Sequence, residues 1–265
     1  MVLIMKRKII YFQRLTLFLT QLALFVIMQL SLGMLNLYAQ ENNICIVKTR
    51  EYPGRDPFMW DGLYAARDGK VYSGLINEGV SSHFYVYDPK IDSNILLYDM
   101  ADFLGERGEG IRTSGKIHNK PVEDNDGNIY FVTMNNGSGP RKIDYGSWRG
   151  GHWLKYDPKT KKLEDMGLVD KGIGCYPLTI DTKRGYLFGI GFTGYFYRFD
   201  IKKRITKNLG RVSNWDICRD IFADDKGNVY MSFPTARVAK YDAEKEKVIQ
   251  HRYVCRMILL FFLLS

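Results

Sequence analysis

The chain has 265 residues, of which 46% are hydrophobic and 25% are charged, with 25 Gly and 8 Pro. That composition is sufficient for a folded core and excludes both an intrinsically disordered chain and a collagen-like one. The formal net charge is +9, but there is no Lys/Arg run of the kind that binds nucleic acid, so the surplus indicates either an acidic ligand or ordinary surface charge.

The first 39 residues have the pattern of a secretory signal peptide. Positive residues at 6–8 precede an apolar stretch from Leu15 to Leu37, and Ala39 offers a small residue at the cleavage point. We therefore predict a signal peptide over residues 1–39 and a secreted or periplasmic mature protein, with no membrane contact beyond this segment. A retained anchor is the alternative.

The four cysteines do not form a disulfide scaffold. They are far apart and form no C-x-x-C pair, which favours structural or free thiols. Their positions are Cys45, Cys175, Cys218 and Cys255. Residues 256–265 form an apolar tail too short to span a bilayer, which we interpret as a truncated or frame-shifted terminus or as a hydrophobic tail.

Two short phrases recur four times between these ends. The first is a tight turn that contains a glycine and leads into a β-rich run: DGKVY at 68–72, DGNIY at 126–130, KRGYL at 183–187 and KGNVY at 226–230. The second ends an aromatic run with an aspartate, at Asp88, Asp157, Asp200 and Asp242. The last three of these aspartates are spaced by 43 and 42 residues, so the chain contains an internal repeat of roughly 40–45 residues.

Each repeat predicts four short strands, which we call A to D. In the second repeat these are Lys120–Asp124, Ile129–Met134, His152–Tyr156 and Lys162–Met166. Four strands in a repeat of this length are typical of a blade of a β-propeller. The sequence therefore predicts an all-β propeller domain at 40–255, with antiparallel blades at about 57–100, 116–168, 174–210 and 216–250.

Four blades are at the low end of the propeller range of about four to eight. A lone strand at Asn43–Glu51 resembles the segment that closes a propeller ring, yet the last blade already has its own strand D at Lys245–Gln250. We therefore expect the chain to be part of a larger propeller; a complete small propeller is the alternative.

Equivalent positions in the repeats carry residues with acid–base or aromatic chemistry. Nine residues before each turn glycine, where strand A starts, stand Trp60, His118, Tyr176 and Cys218, the last followed by Arg219. Five residues before each strand-C aspartate stand His83, His152, Tyr195 and Arg237. Strands A and C run in the same direction, so both sets are predicted at one face, where strand A lines the channel. Alternatively, these side chains only pack between blades.

The second blade has a long loop between strands B and C, at Asn135–Gly151. It carries aromatic and cationic residues, namely Arg141, Lys142, Tyr145, Trp148 and Arg149. Flat aromatic rings beside cations can stack on a sugar and pair with a carboxylate or sulfate. The alternative is a solvated loop anchored by Trp148.

Neither set of equivalent residues contains a carboxylate. This argues against a glycosidase with two carboxylates and against a calcium-dependent lactonase. Because Asp61, Asp216 and Glu109 lie nearby in the sequence, neither exclusion is complete.

Histidine, tyrosine and arginine together suit β-elimination on a uronate polysaccharide. A cation such as Arg219 neutralises the carboxylate, and a neutral His or a deprotonated Tyr removes the C5 proton. A Tyr hydroxyl then protonates the departing oxygen. This chemistry requires no cofactor; a divalent metal held by His83, His118 and His152 is the alternative.

Three short motifs carry a resemblance to a known family: HNKP at 118–121, GGHW at 150–153 and CYPL at 175–178. With the blades, they make the chain resemble the secreted β-propeller polysaccharide lyases, namely the ulvan lyases and, more distantly, the oligogalacturonate lyases. The resemblance implies about seven blades and an acidic polysaccharide or oligosaccharide substrate. It assigns His118 and His152 to carboxylate neutralisation or proton transfer and Tyr176 to acid–base catalysis.

The resemblance leaves the arginine open among Arg198, Arg219 and Arg237, and we take Arg219 as the catalytic candidate. The remaining candidates are predicted to bind substrate: Trp60, His83, Arg141, Tyr145, Trp148, Arg149, Tyr195, Arg198 and Arg237. We expect a monomer. Two other functions stay open, namely a non-catalytic propeller that binds glycan or protein, and a metal-dependent hydrolase or lactonase.

Overall fold

The computed structural model describes residues 19–26, 29, 51–52, 58–77, 80–107, 112–135, 148–191, 194–212, 218–233 and 237–254. The chain divides into two compact units, Met1–Thr49 and Arg50–Ser265. In the first unit, residues 19–26 are helical and exposed. No helix within the described ranges has both the length and the apolar character needed to cross a membrane. The predicted cleavage point at Ala39, residues 43–50 of the predicted lone strand and the tail at 256–265 lie outside those ranges.

In the described part of the second unit there are four antiparallel sheets, each formed by consecutive strands of the chain. Blade 1 contains β1 (Leu63–Ala65), β2 (Val71–Leu75), β3 (His83–Asp88) and β4 (Ser93–Asp99). Blade 2 contains β5 (Lys116–Ile117), β6 (Val122–Glu123), β7 (Ile129–Met134), β8 (His152–Asp157) and β9 (Lys162–Leu168). A short helix, Met100–Phe103, follows β4.

Blades 3 and 4 repeat the same order. Blade 3 contains β10 (Cys175–Asp181), β11 (Tyr186–Gly191), β12 (Tyr195–Asp200) and β13 (Ile205–Arg211). Blade 4 contains β14 (Ile221–Ala223), β15 (Val229–Phe233), β16 (Arg237–Asp242) and β17 (Lys247–Val254). The prediction of an all-β propeller fold with four-stranded antiparallel blades is confirmed.

Strand A of blade 2 differs from the prediction, because it consists of two short pieces, β5 and β6, that both pair with β7. Between them the Asn119 side chain replaces the backbone ladder: its Nδ2 donates to Val132 O at 2.6 Å and its Oδ1 accepts from Val132 N at 3.0 Å. Pro121 has no N–H to donate at this point. The strand therefore starts at Lys116, before the predicted Lys120.

The repeated phrases form two kinds of turn. The A–B turns contain glycines with φ of 80°, 89°, 70° and 79° at Gly69, Gly127, Gly185 and Gly227. At the C–D turns the repeated aspartate accepts backbone N–H groups; Asp157 Oδ1, for example, accepts from Lys159 N at 2.8 Å. Each C–D turn then holds a non-glycine residue with positive φ, at Asp92, Lys161, Arg204 and Glu246. Both phrases recur in the chain because each turn requires them: a glycine for positive φ in the A–B turn, and an aspartate that accepts backbone N–H groups in the C–D turn.

The hydrophobic core lies in three layers between successive blades. The layer between blades 1 and 2 includes Tyr72, Phe84, Ile117, Phe131 and Tyr156. The layer between blades 2 and 3 includes Tyr130, Trp153, Cys175, Leu187 and Phe199. The layer between blades 3 and 4 includes Phe188, Phe196, Ile221, Met231 and Tyr241. The same packing brings inner strands of neighbouring blades into contact, as between β2 and β5 and between β10 and β14.

Candidate functional site

Four residues from the starts of the four A strands meet at one place, and we call them the strand-A cluster: Trp60, His118, Tyr176 and Arg219. The Trp60 and His118 rings stack with centroids 5.7 Å apart. The His118 and Tyr176 rings meet edge to face at 4.9 Å. The Arg219 guanidinium lies 5.6 Å from the Trp60 ring centre and 5.9 Å from that of Tyr176. Each blade therefore contributes one side chain.

His118 is the most perturbed titratable group of this cluster. It is 4% exposed, and burial, together with the nearby charges of Lys116 and Arg219, lowers its pKa from 6.5 to about 4. Arg219 Nη1 lies 3.2 Å from His118 Nε2. Because a guanidinium can only donate, Nε2 is the acceptor and the neutral ring carries its hydrogen on Nδ1. His118 is thus a neutral base at pH 7.

Trp60 forms an exposed aromatic surface beside two cations. Trp60 is 60% exposed. Lys116 Nζ lies 6.0 Å from its ring centre, and Arg219 lies on the same ring. An exposed indole flanked by cations is suited to stack on a sugar ring and attract its acidic group.

Two carboxylates adjoin the strand-A cluster in the chain: Asp61 follows Trp60, and Asp220 follows Arg219. Burial raises the pKa of Asp61, and the negative charge of Asp220 raises it further, while Lys120 and Arg219 oppose the rise. The two carboxylates are therefore within electrostatic reach of each other. The sequence prediction named Asp61 but missed Asp220; Asp216 and Glu109 lie outside the described residues.

Two of the residues at the starts of the C strands, His83 and His152, are each paired within their own blade. His83 Nε2 lies 2.9 Å from Asp99 Oδ2, which also pairs with Arg107 at 2.6 Å. Burial would raise the pKa of Asp99, but hydrogen bonds from Ser81, His83 and a backbone N–H together lower it. In blade 3, Tyr195 is 37% exposed. His83 is therefore held by an aspartate of its own blade, and the predicted sharing of one face by the whole second set stays a prediction.

His152 is also paired inside its blade. Its Nδ1 lies 3.0 and 2.9 Å from the two oxygens of Asp165. Among the described residues, no hydrogen bond or ring contact joins His152 to the strand-A cluster. The family resemblance places His152 and His118 in one catalytic group, and that assignment stays a prediction.

Several other predicted site residues occupy different places. Arg198 pairs with Glu246 of the next blade at 2.6 Å, and it lies 4.5 Å from the ring centre of Tyr186 in its own blade. It therefore lies at the C–D turns, on the face opposite the strand-A cluster. Trp148 is 1% exposed, so it is not the open stacking surface that its loop position suggested.

The remaining candidates lie outside the strand-A cluster or outside the described ranges, except Cys218, which directly precedes Arg219. Arg149 is exposed and donates to Leu104 O at 3.0 Å. Cys218 is buried, and it and Cys175 are free thiols. Arg141, Tyr145 and the side chain of Arg237 lie outside what the structure describes. In the described part of the chain no group of three His, Cys, Asp or Glu side chains is placed to hold a metal.

Sequence reasoning missed Lys116, a buried cation of the site. It stands two residues before His118, and alternate residues of a strand share one face. That spacing is the signal that could have identified it. Asn119 was also missed. Its Nδ2 lies 3.5 Å from Cys175 O. Because Asn119 follows His118 and Cys175 precedes Tyr176, this contact links the two residues of the cluster across blades 2 and 3.

No family model and no curated protein matches the chain. Among solved structures, it is similar to a structural genomics protein of unknown function from Bacteroides thetaiotaomicron, with TM-score 0.52 and 12% identity over 78% of this chain and 46% of that one. It is also similar to a chain of the mitotic checkpoint complex, with TM-score 0.50 and 12% identity over 78% of this chain and 58% of that one. The chain spans about half the length of these two structures. At such identities the likeness concerns the fold alone.

Proposed function

We propose that this protein is an exported propeller that binds an acidic saccharide at the strand-A cluster and cleaves it by β-elimination. One observation carries the proposal: a neutral imidazole, His118, lies 3.2 Å from the guanidinium of Arg219 and in ring contact with Tyr176. A base, a carboxylate-binding cation and a hydroxyl are the three groups that this reaction requires. The same three residue types link the site to the β-propeller polysaccharide lyases.

Binding begins with the substrate carboxylate on Arg219. Its fork of N–H donors matches a carboxylate better than the single acceptor that His118 offers. When Arg219 turns to the carboxylate, His118 Nε2 is released beside the carbon next to that carboxylate. The low pKa of His118 keeps this nitrogen unprotonated, and Trp60 supplies the surface on which the sugar ring stacks.

The elimination then balances within the site. The C5–H bond breaks and its proton moves to His118 Nε2, while the electron pair forms the C4–C5 double bond. The C4–O4 bond breaks, and the departing oxygen takes a proton from the Tyr176 hydroxyl. Arg219 and Lys116 stabilise the negative charge that develops on the carboxylate in the transition state. Solvent returns the proton from His118 to Tyr176.

The test is a product assay on a panel of acidic polysaccharides, including polygalacturonate, alginate and chondroitin sulfate. We expect a rise in ultraviolet absorbance from the conjugated unsaturated uronate with at least one of them. The Arg219→Lys variant keeps the charge but loses the fork, so its KM is expected to rise. A folded protein that yields no unsaturated product from the whole panel would contradict the elimination.

A non-catalytic glycan-binding propeller is the second candidate, and the exposure of Trp60 between two cations favours it. In that case, retention on an acidic polysaccharide column survives His118→Gln and is lost with Trp60→Ala. Under the lyase proposal, His118→Gln also retains binding, but it lowers the rate of product formation by about 100-fold or more. The product assay and the column together separate the two functions.

A further inference from the structure

Each blade presents one side to the blade that follows it, and two repeat positions mark that side. One is the third residue after the turn glycine, and the other is the fourth residue before the strand-C aspartate. In blades 1 to 3 both positions hold large aromatic residues that are at most 1% exposed and belong to the core layer shared with the next blade. They are Tyr72, Tyr130 and Phe188 at the first position and Phe84, Trp153 and Phe196 at the second.

An aromatic ring of the following blade covers these two positions at each described blade boundary. The ring centre of Tyr156, in blade 2, lies 5.8 Å from that of Tyr72 and 5.6 Å from that of Phe84. The corresponding pairs at the next two boundaries are Phe199 with Trp153 at 5.3 Å and Tyr241 with Phe188 at 5.3 Å. This side of a blade is therefore shaped to receive an aromatic ring.

The same side of blade 4 is open to solvent among the described residues. Tyr230 stands at the first position, and its hydroxyl donates to Asp224 Oδ2 at 3.2 Å, as the equivalent tyrosine of blade 2 does to its own turn aspartate. Tyr230 is only half-buried, and Val238, at the second position, is 38% exposed. Phe222 stacks on Tyr230 at 5.0 Å and is 59% exposed. We call Phe222, Tyr230 and Val238 the blade-4 face.

Blade 1 shows how an end blade of this protein is covered. Tyr85 adjoins Phe84 in β3 and so points to the opposite side, away from blade 2, yet it is fully buried. The Tyr52 ring lies edge to face against it at 4.9 Å, and Glu51 O accepts from Asn94 Nδ2 at 3.2 Å. Residues that precede β1 therefore cover this side, as capping segments do at the ends of repeat arrays.

The chain that follows blade 4 has a composition suited to the same task. β17 ends at Val254, and residues 257–264, which lie outside the described ranges, read MILLFFLL. This segment carries no charge and includes two aromatic residues, Phe261 and Phe262. Eight residues span up to about 26 Å when extended, whereas β17 and β14 are three strand spacings, or about 14 Å, apart. Every part of the blade-4 face is within its reach.

We propose that residues 257–264 fold back over the blade-4 face and place a phenylalanine ring against Tyr230 and Val238. This ring takes the place that Tyr156, Phe199 and Tyr241 occupy at the other boundaries. Removal of the exposed apolar surface from water stabilises the closed arrangement. The tail is thus a cap for blade 4, as residues 51–52 are for blade 1, and its binding does not depend on the chemistry of the strand-A cluster.

Hydroxyl-radical footprinting with residue-resolved mass spectrometry tests the cap, because the oxidation rate of an aromatic ring follows its solvent exposure. We expect Phe222 to react slowly in the full chain and severalfold faster in a variant that ends at Arg256. Tyr72, which is buried under blade 2, and Trp60, which is exposed, are expected to keep their rates in both proteins and so report an intact fold. An equal rate for Phe222 in the two proteins would refute the cap.

Substitutions in the tail provide a matched test that does not shorten the chain. Phe261→Asp combined with Phe262→Asp removes both rings and is expected to raise the Phe222 rate as the truncation does. Ser265→Asp adds a charge beyond the apolar run and is expected to leave that rate unchanged. A cap formed within one chain also protects Phe222 equally at every protein concentration. Protection that disappears on dilution, together with a dimer in sedimentation, would assign the blade-4 face to a second copy and overturn the proposal.

Discussion

The starts of the A strands and the starts of the C strands carry similar residues but behave differently. In the A strands, Trp60, His118, Tyr176 and Arg219 come from four blades and touch one another. In the C strands, His83 and His152 each pair with an aspartate of their own blade. The difference is radial: inner strands of neighbouring blades meet, whereas strand C lies two strands further out. Equivalence between repeats predicts the face of a residue, and its distance from the axis decides its neighbours.

The largest expected effect compares a histidine from each region. His118→Gln removes the proposed base and is expected to lower kcat by about 100-fold or more, the usual contribution of a general base. His83→Gln can still donate to Asp99 and is expected to leave kcat unchanged. Both are measured by the unsaturated-product assay. Equal losses in the two variants would contradict the distinction between the two regions.

The second comparison concerns how the inner strands are held together. Asn119 is fully buried and bonds Val132 on both sides and Cys175 O in the next blade. Asn119→Ala leaves these backbone groups unpaired and is expected to lower the free energy of unfolding by about 2–3 kcal/mol. Asn208→Ala, at an exposed position of an outer strand, is expected to cost under about 0.5 kcal/mol. Urea denaturation measures both; similar costs would show that Asn119 does not join the blades.

The third comparison uses pH. Because burial and neighbouring cations lower the folded-state pKa of His118 from 6.5 to about 4, the unfolded chain binds this proton first as the pH falls. The stability that neutral His118 contributes is therefore complete above about pH 6.5 and is lost as the pH falls towards 4. Melting temperatures of the unmodified protein are expected to decrease across this window.

The His118→Gln variant is the control for this window and is expected to show a flatter curve. The carboxylate of Asp99 in the strand-C region has a lowered pKa, so its contribution is lost only at more acidic pH. Superimposable curves for the two proteins would mean that His118 titrates normally.

The smallest expected effect is at Tyr195, in the strand-C set. Its side chain is partly exposed and its ring lies outside the strand-A cluster. Tyr195→Phe is expected to change the free energy of unfolding by less than about 0.5 kcal/mol and to leave kcat unchanged. A loss of activity comparable to that of Tyr176→Phe would extend the site outwards to strand C.

The turns explain why the fold could be predicted from the sequence. The positive-φ positions Gly69, Gly127, Gly185 and Gly227 and the repeated C–D aspartates are local features, so they can be read without tertiary information. The strand-A residues were found because they keep a fixed distance from those turns. Because the blades repeat one structure, residues at the same distance from their turns lie at equivalent places in the fold.

The missed features depend on long-range packing. Asp165 and Asp99 belong to outer strands without a repeated phrase, so their pairing with His152 and His83 has no sequence signal. Burial of Trp148 likewise depends on what covers the loop. Arg198 is a different case, because its position could be predicted locally. It stands three residues after Tyr195, and residues an odd number apart in a strand point to opposite faces of the sheet.

The strand-A cluster takes one side chain from each of four blades, and this has an evolutionary consequence. Duplication or exchange of a single repeat alters one quarter of the constellation and leaves the other three contributors in register. Ligand preference in such an arrangement can be changed one module at a time. For the same reason, no proteolytic fragment that lacks a blade retains the complete constellation.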